Sequence, residues 1–205
     1  MVDSRWLYRR VGAVIGNTLE QQIIGLYDRD INAAFSINQI AKLLKKKYPY
    51  INKKVNLLLK NNILVKVIIG HTHLCSLNLD NEQTTILLII NEIKKKEKLL
   101  KTYDWNNRYE NIKSSIENTS IRTVLCSNNA VIFVVGDLKD DHSIRKKLKL
   151  KNRVVFYTND QFKQLLLSDK SILENHIILY AYERYYQTIK EIRGELRLRY
   201  SPLMP

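Results

Sequence analysis

The chain has 205 residues, enough for one large or two small domains with real cores. Its 45% hydrophobic and 26% charged content is that of an ordinary globular protein, and six glycines with three prolines argue against long disordered linkers. Lys plus Arg is 34 against 20 Asp plus Glu, a formal net charge of +14, which points to a polyanionic partner, nucleic acid before acidic protein or a lipid surface. No apolar core precedes the arginines of "MVDSRWLYRR", and the longest apolar run, Ile86 to Ile90, is far shorter than a bilayer span. The expectation is a soluble cytoplasmic protein with no membrane contact. Cys75 and Cys126 lie far apart and make no disulfide framework, so both read as lone buried thiols in a reducing compartment.

In chain order, "TLEQQIIGLYDRD" predicts a helix capped by Thr18 with Leu19, Ile23, Ile24 and Tyr27 inward. "SINQIAKLLKK" predicts a second, capped by Ser36, with Ile37, Ile40, Ala41 and Leu44 inward. Pro49 opens a third, whose apolar stripe is Ile51, Val55, Leu58 and Leu59. "ILVKVII" and "LCSLNL", joined by "GHTH", predict a β-hairpin. Between Asp30 and Asp80 there is no acid, yet Lys42, Lys45, Lys46, Lys47, Lys53, Lys54, Lys60 and Lys66 all fall inside. Such a span reads as a phosphate-facing surface.

An amphipathic helix over 81–101 then ties the hairpin to the second half, and is also a candidate dimer-forming helix. Beyond it "IRTVLCS" and "AVIFVVGD" predict two strands, "SIRKKLKL" a short basic helix, and "RVVFYT" a buried strand. "NDQFKQLLLS" predicts a helix capped by Asn159 or Asp160, and "SILENHIILYAYERYYQTIKEIRGEL" one long helix. The alternation is that of a small α/β domain. His176 falls on an apolar helix face as a satisfied core histidine, and His142 in a loop. Tyr180, Tyr182, Tyr185 and Tyr186 cluster on that last helix and suit core and subunit contacts or base stacking, an interface being favoured over stacking. The basic tail "RLRYSPLMP" is expected to project.

The run "SINQIAKLLKKKYPYINKKVNLLLKNNILVKVIIGHTHLCSLN" resembles the winged helix-turn-helix pattern. There S-x-x-x-I-A begins the second helix, V-x-x-x-L marks the recognition helix, and a short turn leads into the wing. The matching positions are Ser36, Ile40, Ala41, Val55, Leu59 and Ile63. In the second half "FYTNDQF" and "ILENHIILYAYERYYQTIKE" resemble the nucleotidyltransferase-like domain that archaeal winged-helix proteins carry. An active enzyme of that kind needs a Gly-Ser pair and two carboxylates one residue apart on a strand to hold divalent metals. Here "CSNN" stands where the Gly-Ser loop belongs, and Asp137, Asp140 and Asp141 follow the strand rather than sit in it. The resemblance therefore implies a degenerate, non-catalytic domain without cofactor.

The expected fold is α+β. A winged-helix domain covers 1–80, the connecting helix 81–101, the nucleotidyltransferase-like α/β domain 102–192 and the basic tail 193–205. The expected function is a DNA-binding transcriptional regulator, with a homodimer as a possible assembly. Asn52, Lys53 and Asn56 of the third helix face the base edges, Lys54 lies off the buried stripe and faces the ligand, and Lys60 is a further binding residue. Lys45, Lys46 and Lys47 meet phosphates, and His71 and Thr72 of the wing approach the backbone or the minor groove. The alternative is an RNA- or ribosome-associated factor that adds contacts from Arg193, Arg197 and Arg199. His71, His73 and Cys75 alternate along a strand but lack a fourth ligand, so no metal is expected.

Overall fold

In a computed structural model of the chain, residues 18–117, 119–127, 131–137 and 154–200 are described. The basic helix expected over 143–150, His142, Asp140 and Asp141 lie outside them. The described residues form a mixed α and β protein that divides into two compact units on either side of the Asn91–Glu92 peptide. That border falls inside the helix that follows the hairpin, rather than at one of its ends.

The first unit contains α1 (Leu19–Gly25), β1 (Ala34–Phe35), α2 (Ile37–Leu43), α3 (Tyr48–Lys60), β2 (Leu64–Ile69), β3 (Thr72–Leu77) and the start of α4 (Glu82–Leu100). Local chemistry sets each boundary. Thr18 caps α1 by accepting from the Gln21 N–H. Ser36 caps α2 in a reciprocal box with Gln39, each side chain bonding the other's backbone N–H. At its far end the Lys45 N–H bonds Lys42 and the Lys46 N–H bonds Ala41, a Schellman closure with Lys45 left-handed at φ 53°. The end of α3 repeats the device, with Asn62 at φ 55° and bonds from Asn62 to Leu59 and from Ile63 to Leu58. The carbonyls just beyond it are satisfied by Asn81 at Asn61, Asn78 at Asn62 and Thr84 at Ile63.

Ile23, Ile24, Tyr27, Ile40, Ile51, Val55 and Leu58 fill the core beneath these helices, each 0–2% exposed. Complete burial stabilises by about 1.5–3 kcal/mol for each such aliphatic side chain. Leu19, Ile37, Leu44 and Leu59, expected inward, are half-buried at the rim. The sheet has the order β1-β3-β2, antiparallel throughout, and Ile69 pairs with Thr72 across a two-residue loop. Gly70 in that loop has φ +57°, the freedom a primed hairpin turn needs. The two-residue strand β1 was not foreseen. It pairs Ala34 with Ser76 and Phe35 with Cys75, and Tyr27 secures it by donating to the Cys75 carbonyl at 2.8 Å.

The second unit holds the rest of α4, then α5 (Tyr103–Ile116), β4 (Thr123–Ser127), β5 (Ile132–Val135), β6 (Val154–Tyr157), α6 (Asn159–Ser168), α7 (Lys170–Glu174), β7 (His176–Tyr180), α8 (Tyr182–Glu191) and α9 (Arg193–Tyr200). The sheet order is β6-β5-β4-β7, with β4 antiparallel to β5 and β7, and β5 parallel to β6. All four residues of β5 and Thr123 to Cys126 of β4 are buried, as befits central strands covered on both faces. Ile112, Ile116, Val124, Ile132, Val134 and Leu179 form the core, with Trp105 and Tyr109 packed at its margin.

Several expectations are corrected here. The single long helix from Ser171 to Leu196 is instead the end of α7, strand β7 and helices α8 and α9. The apolar run "HIILY" suits a strand as well as a helix, and pairing with β4 decides it. Ala181, left-handed at φ 53°, then separates strand from helix. The cap of α6 is Thr158, boxed with Gln161, not Asn159 or Asp160. Strand β6 is half-buried rather than buried. Of the four clustered tyrosines Tyr182, Tyr185 and Tyr186 are core residues, whereas Tyr180, at the end of β7, is 41% exposed.

The outer strand β7 is covered from α4. Glu92, 1% exposed, accepts from the Ile178 N–H at 3.3 Å and from the Lys95 ammonium at 2.6 Å. His176 lies beside it with Nδ1 at 3.0 Å from the Leu173 carbonyl and its ring 4.7 Å from that of Tyr185. Its Nε2 has no hydrogen-bond partner among the described residues, so it is a core histidine satisfied on one side only.

Candidate nucleic-acid interface

Helical periodicity sorts the residues of α3. Ile51, Val55 and Leu58 point to the core, which places Lys53, Asn56 and Lys60 on the opposite side, all three exposed. The flanks behave differently. Asn52 is half-buried, and the Asn56 amide donates to its oxygen at 3.1 Å. On the other flank Lys54 binds Glu20 of α1 at 2.5 Å, with side chains 37% and 22% exposed. Burial pushes the Glu20 carboxyl up, but the Lys54 hydrogen bond and charge, with the other hydrogen bonds to Glu20, outweigh it and hold it below the usual carboxylate range. Lys54, expected to face the ligand, is thus engaged in joining two helices. Glu20 precedes the acid-free span, so nothing in the spacing of that span revealed the pair.

The turn before α3 presents Lys45, Lys46 and Lys47, all exposed, and the left-handed Lys45 makes that turn tight. Lys42 and Lys66 are exposed as well. At the hairpin tip His71 and Thr72 are exposed as expected of a wing. His73 is exposed and Cys75 buried, and among the described residues no group of three His, Cys, Asp or Glu is placed to hold a metal ion. Two features of the helix face were missed from sequence. Tyr50 is 67% exposed and Leu57 43% exposed, two turns apart on one stripe beside Lys53. Both are apolar residues outside the buried stripe, and that displacement was the available signal.

The remaining predicted contacts lie in the second unit. Arg193, Arg197 and Arg199 belong to α9, whose Leu196 is fully buried, so residues up to Tyr200 do not project as a tail. Arg199 donates to the Leu167 carbonyl at 3.2 Å, and the Tyr200 hydroxyl donates to the same oxygen at 2.6 Å. These bonds fasten α9 to the end of α6. Asp137 is exposed just after β5. Both cysteines are buried free thiols. Burial, with the Glu92 charge adding to it, pushes the Cys126 thiol up to about 12, and burial raises that of Cys75. Neither is a nucleophile in that state.

Among the described residues no helix is long and apolar enough to cross a membrane. No family model and no curated protein matches the chain. Among solved structures it is similar to a protein of unknown function from Listeria innocua Clip11262, at 23% identity over 55% of this chain and 81% of that one, with a TM-score of 0.37. A likeness of that size carries no argument about function.

Proposed function

We propose that the first unit is a winged helix-turn-helix domain that binds duplex DNA, and that the protein is a DNA-binding transcriptional regulator. The observation that carries the reading is the exposed stripe of Lys53, Asn56 and Lys60 on α3, inside a span of chain without a single acid. The order helix, short strand, two helices and hairpin supports it, because it is the order of that domain class. Helix α3, 13 residues and about 20 Å long, fits a B-form major groove about 12 Å wide. Lys45, Lys46 and Lys47 then meet the phosphates flanking its first turn, and His71 and Thr72 meet the backbone from the wing.

The test is a salt titration of the full chain on duplex DNA, repeated with Lys53→Glu plus Lys60→Glu. If about five lysines engage phosphates, log affinity falls with log salt at a slope of roughly −4.5. The double variant loses affinity while its thermal melt stays where it was. A wild-type slope near zero overturns the proposal. A second reading rests on Tyr48 and Tyr50, 47% and 67% exposed beside the lysine turn, which suit stacking on unpaired bases. Under it, a hairpin RNA with an open loop binds more tightly than any duplex at equal salt.

A further inference from the structure

We infer that α3 reads adenine–thymine pairs, with Asn56 as the base-contacting residue and Asn52 as the residue that positions it. The inference rests on the duplex-DNA reading above and adds the base it selects. A free Asn amide has two N–H donors and one carbonyl acceptor on a rotating bond. Here one N–H of Asn56 is committed to the Asn52 oxygen at 3.1 Å, which fixes the plane of the amide. What remains for a ligand is one N–H and the C=O of an exposed residue on the outward face. Adenine in the major groove offers N7 as acceptor and its 6-amino group as donor, which matches that pair atom for atom. Guanine offers two acceptors there, N7 and O6, so the Asn56 carbonyl would face another oxygen.

The neighbours agree with this choice. Leu57 and Tyr50 put exposed carbon across Lys53 from the asparagines, on the same outward half of α3, where it can meet a thymine C5-methyl group, which has no counterpart on a G·C pair. Helix α3 contains no arginine, the residue whose planar fork pairs best with guanine. Lys53 and Lys60 supply point charges for phosphates instead. The plain alternative is that the two asparagines form an ordinary i,i+4 pair that only supports the helix. That role predicts a change in melting and none in base preference.

The experiment selects bound duplexes from a pool randomised over its central base pairs, using the full wild-type chain and the variants Asn56→Ala and Asn52→Ala. Wild type enriches adenine at one or more positions, by roughly 10- to 100-fold over guanine. Asn56→Ala loses that enrichment while keeping its salt slope, and Asn52→Ala weakens the enrichment without changing which base is chosen. In the enriched duplex, 7-deazaadenine at the selected position removes the N7 acceptor and lowers wild-type affinity toward that of Asn56→Ala, while leaving the affinity of Asn56→Ala unchanged. Steep salt dependence with no adenine enrichment, or enrichment unchanged in Asn56→Ala, overturns the base assignment and leaves duplex binding standing. Absence of binding to any duplex overturns both.

Discussion

In the first unit the lysines between Asp30 and Asp80 stand in a span with no carboxylate, and Lys54 finds its partner only by reaching back to Glu20. The helices of the second unit are laced differently. Lys95 pairs with Glu92 at 2.6 Å, Arg108 with Asp104 at 2.5 Å, Lys170 with Glu174 at 3.2 Å, and Lys163 reaches Glu191 at 2.9 Å. Apart from the one made by the buried Glu92, solvent-accessible pairs of this kind each contribute less than about 1 kcal/mol, so the contrast is not mainly one of stability. Its consequence is the field outside the molecule. Charges paired at contact distance cancel over a few ångströms, whereas exposed lysines of a span without carboxylates add and attract a polyanion from a Debye length away.

The most severe way to separate the two units is to damage one core at a time. Val55→Asp places a charge at a fully buried site of the first unit, and should cost about 4 kcal/mol and abolish DNA binding. In the second unit a Cβ at Gly136 would stand 2.7 Å from the Ile121 Cδ1 and 3.2 Å from its Cα. Gly136→Ala should therefore cost about 1–3 kcal/mol by overpacking and leave DNA affinity unchanged. Chemical denaturation beside anisotropy titration reads both quantities. Equal loss of affinity in the two variants would erase the functional distinction.

Removing charge without damage sharpens the comparison. Lys53→Gln with Lys60→Gln should flatten the salt slope by roughly 1.8, because two fewer counterions are released. Lys113→Gln with Lys170→Gln removes as many charges from the second unit, where each has a carboxylate partner, and should leave the slope as it is. A matching change in both pairs would mean that the proposed DNA binding responds only to total charge.

Acid should act on the second unit through His176. Burial holds its pKa below the ordinary 6.5, and the charged groups that act on it are Glu92, which opposes that shift, and Lys95. The folded state thus resists a proton that the unfolded chain accepts. The stability tied to the neutral ring is complete above about pH 6.5 and is lost as pH falls below it. Denaturation midpoints between pH 7.5 and pH 5 measure the slope attributed to this ring, and His176→Gln should flatten it. An identical slope in the variant assigns the acid sensitivity to other groups. The smallest effect is expected at the turn before α3. Lys45→Gly relieves a left-handed backbone and should raise stability by about 0.5–1 kcal/mol, while removing one candidate phosphate contact.

The first unit was legible because its signals are local. Thr18 and Ser36 announce two helices, Pro49 a third, and the buried positions of α3 follow one period from Ile51 to Leu58. Its candidate face was legible to the same depth, since exposure of Lys53, Asn56 and Lys60 follows from that period. The Glu20 partner of Lys54 comes from another helix, and no spacing rule reaches it. The second unit hid its topology for related reasons. "HIILY" becomes a strand through pairing with residues some 50 positions earlier, and nothing marks Ala181 as left-handed. The cap of α6 was readable, because Gln161 stands three residues after Thr158 and completes the same box that Ser36 and Gln39 make. The docking of α9, where a projecting tail was expected, rests on bonds to Leu167 more than 30 positions earlier, which no spacing rule reaches either.

The bond between Glu92 and the Ile178 N–H joins residues 86 positions apart, and this sets a timetable for biosynthesis. A ribosome adding about 5–20 residues per second leaves roughly 4–17 seconds between the two. During that interval the first unit, whose strands and helices lie within the preceding residues, has all its partners at hand. The carboxylate of Glu92 and the nascent strands β4 and β5 do not, and β4 keeps an open edge until β7 emerges. Slowing translation between residues 100 and 176 would prolong that exposure, and the newborn chain would then be most dependent on chaperones while its first unit is already built.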